Sequence, residues 1–246
     1  MTINDVEERT GLSRSNIRFY EKEKLIEPSR NESNGYRDYS KNDVENIKKI
    51  AYLRTLGISI EDIRNIISEK VTLQEMLEKQ KEVLKNQILN QIAGKNDIEK
   101  MRYIHDYLVD TIEYDQTFGE KNIYNIYGAL VSKTCVCEGY AKASQYLLNE
   151  AGLENIIITG TATNSDGKTE NHAWNYVNID EKWYAIDTTW DDPIIVGGGK
   201  LTNTIRYRYF LKGSSTMNKN HFISTKFTSG GQDFEFPKLS ITDYNI

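Results

Sequence analysis

Residues 172–190 read HAWNYVNIDEKWYAIDTTW. Two runs rich in aromatic and β-branched residues flank Asp180-Glu181, so the stretch predicts a β-hairpin with a two-residue loop at that pair. In that register His172 faces Thr189, and Asp187 is its diagonal neighbour on the same face. Such neighbours are roughly 7–8 Å apart at the backbone, within reach of an imidazole and a carboxylate. A slip of one residue would send the two side chains to opposite faces.

Upstream, the run VCEGYAKA at 136–143 places Cys137 where VSKTC ends and a helix to about Asn149 begins. Free N–H groups at a helix start stabilise a thiolate. Thiol, imidazole and carboxylate supply a nucleophile, a base and an orienter if folding joins them. A buried packing cysteine is the plainer alternative for Cys137, and the hairpin spacing favours the nucleophile. Cys135 reads as a packing residue or as a partner in reversible oxidation of Cys137. A zinc site built from Cys135, Cys137 and His172 fits no common structural spacing, so neither metal nor cofactor is expected. His105 reads as a packed or capping histidine, the three tryptophans Trp174, Trp183 and Trp190 as core or cleft walls, and Asp191-Asp192 before Pro193 as a turn. With strand-like NIIITGTAT before the hairpin, YRYFLK after it and the helix MRYIHDYLVDTI ahead, this half has an α+β pattern.

The first third differs. Ser/Thr-x-x-Asp/Glu boxes at Thr2/Asp5, Ser40/Asp43, Ser59/Asp62 and Thr72/Glu75 mark helix starts. One helix from about Ile3 to Arg9 stops near Gly11, and Ser13 caps a second, SRSNIRFYEKE. Two short helices across a tight turn form a helix-turn-helix pattern. After Pro28, the Asn34-Gly35 pair predicts a two-residue hairpin turn in a short β-ribbon, or wing. Helices from Asp43 to Leu56 and Ile60 to Ser68 follow, split at Gly57. Residues 72–92 read as one helix with a stripe of Leu73, Leu77, Leu84, Ile88 and Ile92, interrupted by Gln80, Gln87 and Gln91. It either packs on its own domain or forms an antiparallel dimer helix whose polar seam positions set register. AGKND at 93–97 reads as the linker.

A chain of 246 residues is long enough for two cores. The net charge of −5 is uneven: residues 1–70 carry 13 basic and 13 acidic side chains, and residues 101–246 carry 13 and 18. An acidic second half argues against nucleic acid there, while a neutral first half still permits a basic face. The two cysteines, one residue apart, staple no fold. No long apolar run exists and MTINDVEERT lacks a signal pattern, so a cytoplasmic protein without membrane association is expected.

Residues SRSNIRFYEKEKLIEP, NGYRDYSKNDV and IAYLRTLGISIEDI resemble the MerR family of winged helix-turn-helix transcription regulators over residues 2–68. That resemblance implies a reading helix carrying Arg14, Asn16, Arg18 and Tyr20, a wing carrying Tyr36, Arg37 and Tyr39, and a homodimer on double-stranded promoter DNA with an inverted repeat. VCEGYAKASQYLL, NHAWNYVNIDEKWYAIDTTWDDP and IHDYLVDTIEYD resemble the bacterial transglutaminase-like family, of the papain-like cysteine class, over roughly residues 98–225, a stretch that includes His221. It implies Cys137 as nucleophile, His172 as general base and acid, Asp187 as the group holding the imidazole, and a protein or peptide glutamine or amide as substrate. Tyr127 is a candidate for the second oxyanion donor.

The fold expected is therefore multidomain. Residues 1–70 form an all-α winged helix-turn-helix head, 71–97 a helix and linker, and 98–246 an α+β transglutaminase-like domain. Three functions follow: a regulator with a working cysteine acyltransferase or peptidase; a regulator whose second domain is a non-catalytic ligand sensor; or a cysteine enzyme merely localised by the head. The intact Cys137, His172 and Asp187 set favours the first.

Overall fold

Thr2 opens the first helix, α1 (Ile3–Thr10), by accepting from the Asp5 amide while the Asp5 carboxylate takes the Thr2 amide, and Gly11 closes it in a left-handed conformation, φ 70°. The structure, a computed structural model, describes residues 1–55, 58–119, 122–193, 202–224, 227–229 and 232–245. It divides into two compact units, Met1–Lys79 and Gln80–Ile246.

In the first unit, α1 is followed by α2 (Arg14–Lys22), whose cap is Ser13, as the box pattern anticipates. Strands β1 (Ser29–Arg30) and β2 (Arg37–Asp38) pair antiparallel and form the wing. The wing turn departs from expectation. Asn34-Gly35 is not a two-residue loop, because residues 31–36 all lie between the paired strands. The Asn31 carboxamide accepts from the Ser33 amide at 2.9 Å, the Asn34 carboxamide accepts from the Tyr36 amide at 3.0 Å, and these side-chain turns widen the loop. Helices α3 (Lys41–Thr55) and α4 (Ile60–Ile67) complete the head. The proposed break at Gly57 lies outside the described residues. The core is Val6, Ile17, Ile47, Ile50, Leu53 and Ile63, each with no exposed surface. Burying a side chain of this size stabilises by about 1.5–3 kcal/mol.

Helix α5 (Leu73–Ile92) spans the boundary between the units. Its later turns belong to the second unit: Ile88 and Ile92 are buried in one cluster with Met101, Ile104 and Leu108 of α6 (Asp97–Thr111). Asn96 caps α6 with a reciprocal bond to Glu99. Strands β3 (Glu113–Tyr114) and β4 (Thr134–Cys135) pair in parallel, and a single π-helical turn over Gly128–Ser132 precedes β4. Helix α7 (Cys137–Glu150) starts two residues after Cys135.

The main sheet holds β5 (Asn155–Thr163), β6 (Thr169–Ile179), β7 (Lys182–Ile186), β8 (Phe210–Lys212) and β9 (His221–Ile223). Its order is β8-β7-β6-β5-β9, all antiparallel. Two single-turn helices, α8 (Asn203–Arg206) and α9 (Ser214–Met217), flank β8. Strands β10 (Phe227–Ser229) and β11 (Gln232–Phe234) form a separate pair. The alternation of period two is plain: Val177, Ile179, Tyr184 and Ile186 enter the cluster with α6 and α7, while Trp174, Tyr176 and Ala185 enter a second cluster. Asp180 and Glu181 both have positive φ, 50° and 62°, as a type I′ turn requires. Ile179 pairs with Lys182 and Asn175 with Ile186, so the register is the expected one. The strand is shorter than the sequence predicts. It stops at Ile186, because the Asp187 side chain accepts from the Trp190 amide and the Asp191 amide bonds back to the Asp187 carbonyl. Among the described residues no helix is long and apolar enough to cross a membrane.

Candidate active site and nucleic-acid interface

Cys137 is the first residue of α7. The residue before it, Val136, offers no side-chain cap, and neither the Cys137 nor the Glu138 amide has a hydrogen-bond partner among the described residues. Those N–H groups lie at the positive end of the helix, and both residues line one cleft. The β3–β4 pair holds this start in place: the Val136 amide donates to the Ile123 carbonyl at 3.1 Å, and the Asp115 amide to the Cys135 carbonyl at 3.0 Å. Cys135 is buried, and burial pushes its thiol well above the usual range, so it stays protonated in the core.

His172 lies on β6 opposite Gly160 of β5. Its Nε2 is 2.7 Å from Asp187 Oδ2. Desolvation opposes a charge on this buried ring, but the Asp187 carboxylate outweighs it and Cys137 adds to the effect, so the imidazole is pushed up to about 10. Asp187 has no exposed surface. Burial works against its charge too, yet His172 and His221 hold it well below the usual carboxylate range. Its Oδ2 also meets His221 Nε2 at 2.9 Å, and its Oδ1 accepts from the Trp190 amide at 3.2 Å. Trp174 stacks on the His172 ring at 5.8 Å and Trp190 lies 5.3 Å from it.

Two clefts meet at His172. One, of about 620 Å³, is lined by Cys137, Tyr114, Phe118, Tyr124 and Ile157 among others. The other, of about 400 Å³, is lined by Tyr114, Trp190, Asp192 and Asn164. Tyr114 borders both, and burial, with Cys137 next, pushes its hydroxyl up to about 12, so at neutral pH it keeps its proton and can donate a hydrogen bond. Tyr127 lines neither; its ring lies under the Lys81 ammonium at 5.8 Å.

Asp191 and Asp192 do more than turn the chain. Asp191 accepts from the Tyr209 amide at 2.8 Å and faces His105 Nε2 at 3.1 Å, with burial pushing it up to about 6. Asp192 accepts from the Tyr140 hydroxyl at 2.6 Å and is likewise raised by burial to about 6. His105 is buried, as a packed histidine should be, and its far nitrogen meets Asp106 at 3.1 Å.

His221, Tyr140 and Tyr114 are the site residues that local pattern reading misses. His221 lies 34 positions beyond Asp187, and only the docking of edge strand β9 onto β5 brings it back. His172, Asp187 and His221 form the one set with metal-ligand spacing among the described residues, their ligand atoms lying within 4.8 Å of one another. Separations of 2.7 and 2.9 Å are those of hydrogen bonds, whereas ligands about 2 Å from a tetrahedral zinc stand further apart.

On the head, Arg14, Asn16 and Arg18 are exposed along α2, and Tyr36 is exposed on the wing. Arg14 Nε bonds Glu7 at 2.9 Å, and Arg37 Nε bonds Glu21 at 2.6 Å. Tyr20 and Tyr39 are inside the core; the Tyr39 hydroxyl donates to Glu21, so α2 and the wing share one carboxylate. A pocket of about 360 Å³ between α1, α2 and the wing is lined by Arg18, Asn31, Asn34, Tyr36 and Arg37.

Residues 1–70 match the MerR HTH family of regulatory proteins, and residues 86–188 match the transglutaminase-like superfamily. The HTH-type transcriptional regulator HmrR of Rhizobium leguminosarum bv. viciae is 41% identical over 68 residues, 28% of this chain and 52% of that protein. An uncharacterized HTH-type transcriptional regulator of Synechocystis sp., slr0701, is 31% identical over 107 residues, 42% of this chain and 74% of that protein. Kyphoscoliosis peptidase of Mus musculus is 24% identical over 143 residues, 53% of this chain and 22% of that protein. The chain thus spans under two thirds of several relatives, from 22% to 52% of their length. With a helix-turn-helix head ahead of a sheet-and-helix unit, the chain belongs to the MerR HTH family through residues 1–70 and carries a transglutaminase-like domain over residues 86–188.

Proposed function

We propose that this protein is a promoter-binding transcription regulator whose second unit carries out thiol acyl transfer or amide hydrolysis. The observation that carries the reading is Cys137 at the uncapped start of α7, beside a His172 whose far nitrogen is held 2.7 Å from Asp187. The Nε2–H donates to Asp187, and at neutral pH an imidazole pushed up to about 10 already holds its second proton on Nδ1, beside the Cys137 sulfur. The Cys137 thiolate attacks the carbonyl carbon of a glutamine side chain or a peptide. The developing oxyanion lies against the free Cys137 and Glu138 amides, with the Tyr114 hydroxyl as the second side of the hole. When the C–N bond breaks, His172 returns the proton to the leaving ammonia or amine. Water or a lysine amine then attacks the thioester, His172 taking its proton, and the acyl product leaves as the thiol is restored.

On the DNA side, Arg14, Asn16 and Arg18 reach base edges or phosphates from α2, and Tyr36 and Arg37 grip the backbone from the wing. A homodimer reading an inverted repeat fits a head of this type. The exposed Val83 and its neighbours on α5 are the surface where a second copy would dock.

The test is iodoacetamide labelling at neutral pH, read by mass spectrometry. Fast modification of Cys137, slowed in His172→Ala, is expected; Cys135, buried, serves as the internal control. Equal rates in both proteins would remove the nucleophile and leave a sensor domain.

A further inference from the structure

Asp187 Oδ2 accepts from two imidazoles, His172 at 2.7 Å and His221 at 2.9 Å. We propose that His221 is a positioning residue: it pins the Asp187 carboxylate so that His172 keeps its proton on Nε2 and turns Nδ1 to the Cys137 thiol. The inference rests on the acyl-transfer reading above.

The geometry carries it in three ways. First, the Trp190 amide holds Oδ1 at 3.2 Å, and His221 gives Oδ2 a second partner beside His172, so Oδ2 is fixed from two directions and cannot tilt toward one ring without lengthening its bond to the other. Second, His221 sits in a closed ring of close polar contacts. His221 Nδ1 meets Asn220 Oδ1 at 2.8 Å, Asn220 Nδ2 donates to the Tyr209 hydroxyl at 2.7 Å, and the Tyr209 carbonyl accepts from the Asp187 amide at 3.1 Å. The chain of contacts therefore leaves Asp187 through its side chain and returns through its backbone. Third, aromatic rings close every side of the imidazole: Trp190 at 4.7 Å, Tyr209 at 5.0 Å and Trp174 at 5.2 Å. The titratable groups facing it are Asp187, His172 and Tyr209.

His221 is 3% exposed and lines neither cleft that meets at His172. It cannot touch a substrate, and it takes no proton in the reaction. Its part is to make the orienter rigid. A group supporting a site through another residue is typically worth about 10–100-fold.

The experiment uses the full chain with two substitutions. His221→Phe keeps a ring and removes the N–H; His221→Gln shortens the ring but places an N–H near the position of Nε2. Two readouts are taken. One is the pH–rate profile of Cys137 alkylation. The other is the ¹H–¹⁵N signature of the His172 ring, taken above pH 10, where a ring pushed up to about 10 is neutral and has a tautomer to report, whether or not Cys137 turns over. We expect His221→Phe to slow alkylation about 10-fold or more and to mix the two His172 tautomers, and His221→Gln to restore both. Packing alone predicts the reverse order, with Phe tolerated and Gln harmful, and that order would overturn the proposal. Should His221→Phe not fold, Tyr209→Phe removes only the hydroxyl that holds Asn220; wild-type rate and tautomer in that variant would overturn it as well. Failure of the acyl-transfer reading looks different: wild type and His172→Ala then label equally slowly, while the tautomer signature still decides the role of His221.

Discussion

Gly160 lies so close beneath Phe222 that a Cβ added to it would stand 2.1 Å from the Phe222 carbonyl oxygen. The neighbour is backbone, so nothing flexible can move aside. Gly160 also faces His172 across the β5–β6 pair, and Phe222 follows His221 on β9. One hydrogen at this position thus sets the spacing between the two histidine-bearing strands. Gly160→Ala is expected to destabilise the second unit by about 1–3 kcal/mol and to slow Cys137 alkylation through displaced β9. Thermal unfolding together with the labelling rate checks it; unchanged values in both would mean β9 is not held this way.

Asp187→Asn tests the orienter without changing its volume. The amide can present an acceptor or a donor at each position, but not acceptors to both histidines and the Trp190 amide together. Turnover of a glutamine or peptide substrate is expected to fall about 100-fold or more, with KM little changed. A loss confined to KM would place Asp187 in substrate binding instead.

The raised His172 sets a pH window. Because its folded value is near 10, against 6.5 for an ordinary histidine, the stability from its pairing with Asp187 is complete below pH 6.5 and is lost as pH rises through 10. Denaturant melts of wild type and His172→Gln should therefore differ most near pH 6 and converge above pH 10. Asp187, held below its usual range, loses its share only at strongly acid pH. A stability difference that grows with alkali would contradict the pairing.

Asp192 runs the other way. Its carboxyl is raised by burial from 3.8 to about 6, so the folded state favours the protonated form and stability is lost as pH rises from 3.8 through 6. Asp192→Asn keeps an acceptor for the Tyr140 hydroxyl and removes that cost. The variant should match wild type near pH 3.5, below the ordinary carboxylate value, and exceed it at pH 8 by on the order of 1–2 kcal/mol after screening. Calorimetry at the two pH values decides, and equal stability at both would show that solvent reaches Asp192.

The two wing-side arginines should separate on DNA. Arg18 is exposed, while Arg37 is tied to Glu21 at 2.6 Å. Arg18→Ala is expected to lower the slope of log K against log salt by about one. Arg37→Ala should lower it by less, because Glu21 already offsets part of its charge, while weakening binding to all sequences alike. Equal slopes in the two variants would mean that the Glu21 pair opens on DNA.

What could be read from the sequence was local. The Ser/Thr boxes, the Gly11 stop and the two-residue turn at Asp180-Glu181 are short-range chemistry, and each forms as read. The hairpin register followed from that turn, and it was enough to bring His172 to Asp187. Where side chains bonded to backbone nearby, the reading failed: Asn31 and Asn34 widened the wing loop, and the Asp187 carboxylate ended β7 at Ile186. What arrives from far along the chain had no role assigned: the resemblance took in His221 without saying what it touches. His221 comes through an edge strand three residues long, and the Asp192–Tyr140 bond joins positions 52 apart, neither of which leaves a periodic trace.

The uncapped start of α7 implies a trade-off under selection. Val136→Thr would give that helix the side-chain oxygen it lacks, a change commonly worth about 1 kcal/mol. The same oxygen would occupy an amide that the acyl oxygen needs. A screen for heat resistance would thus favour a variant that melts higher and whose Cys137 reacts less.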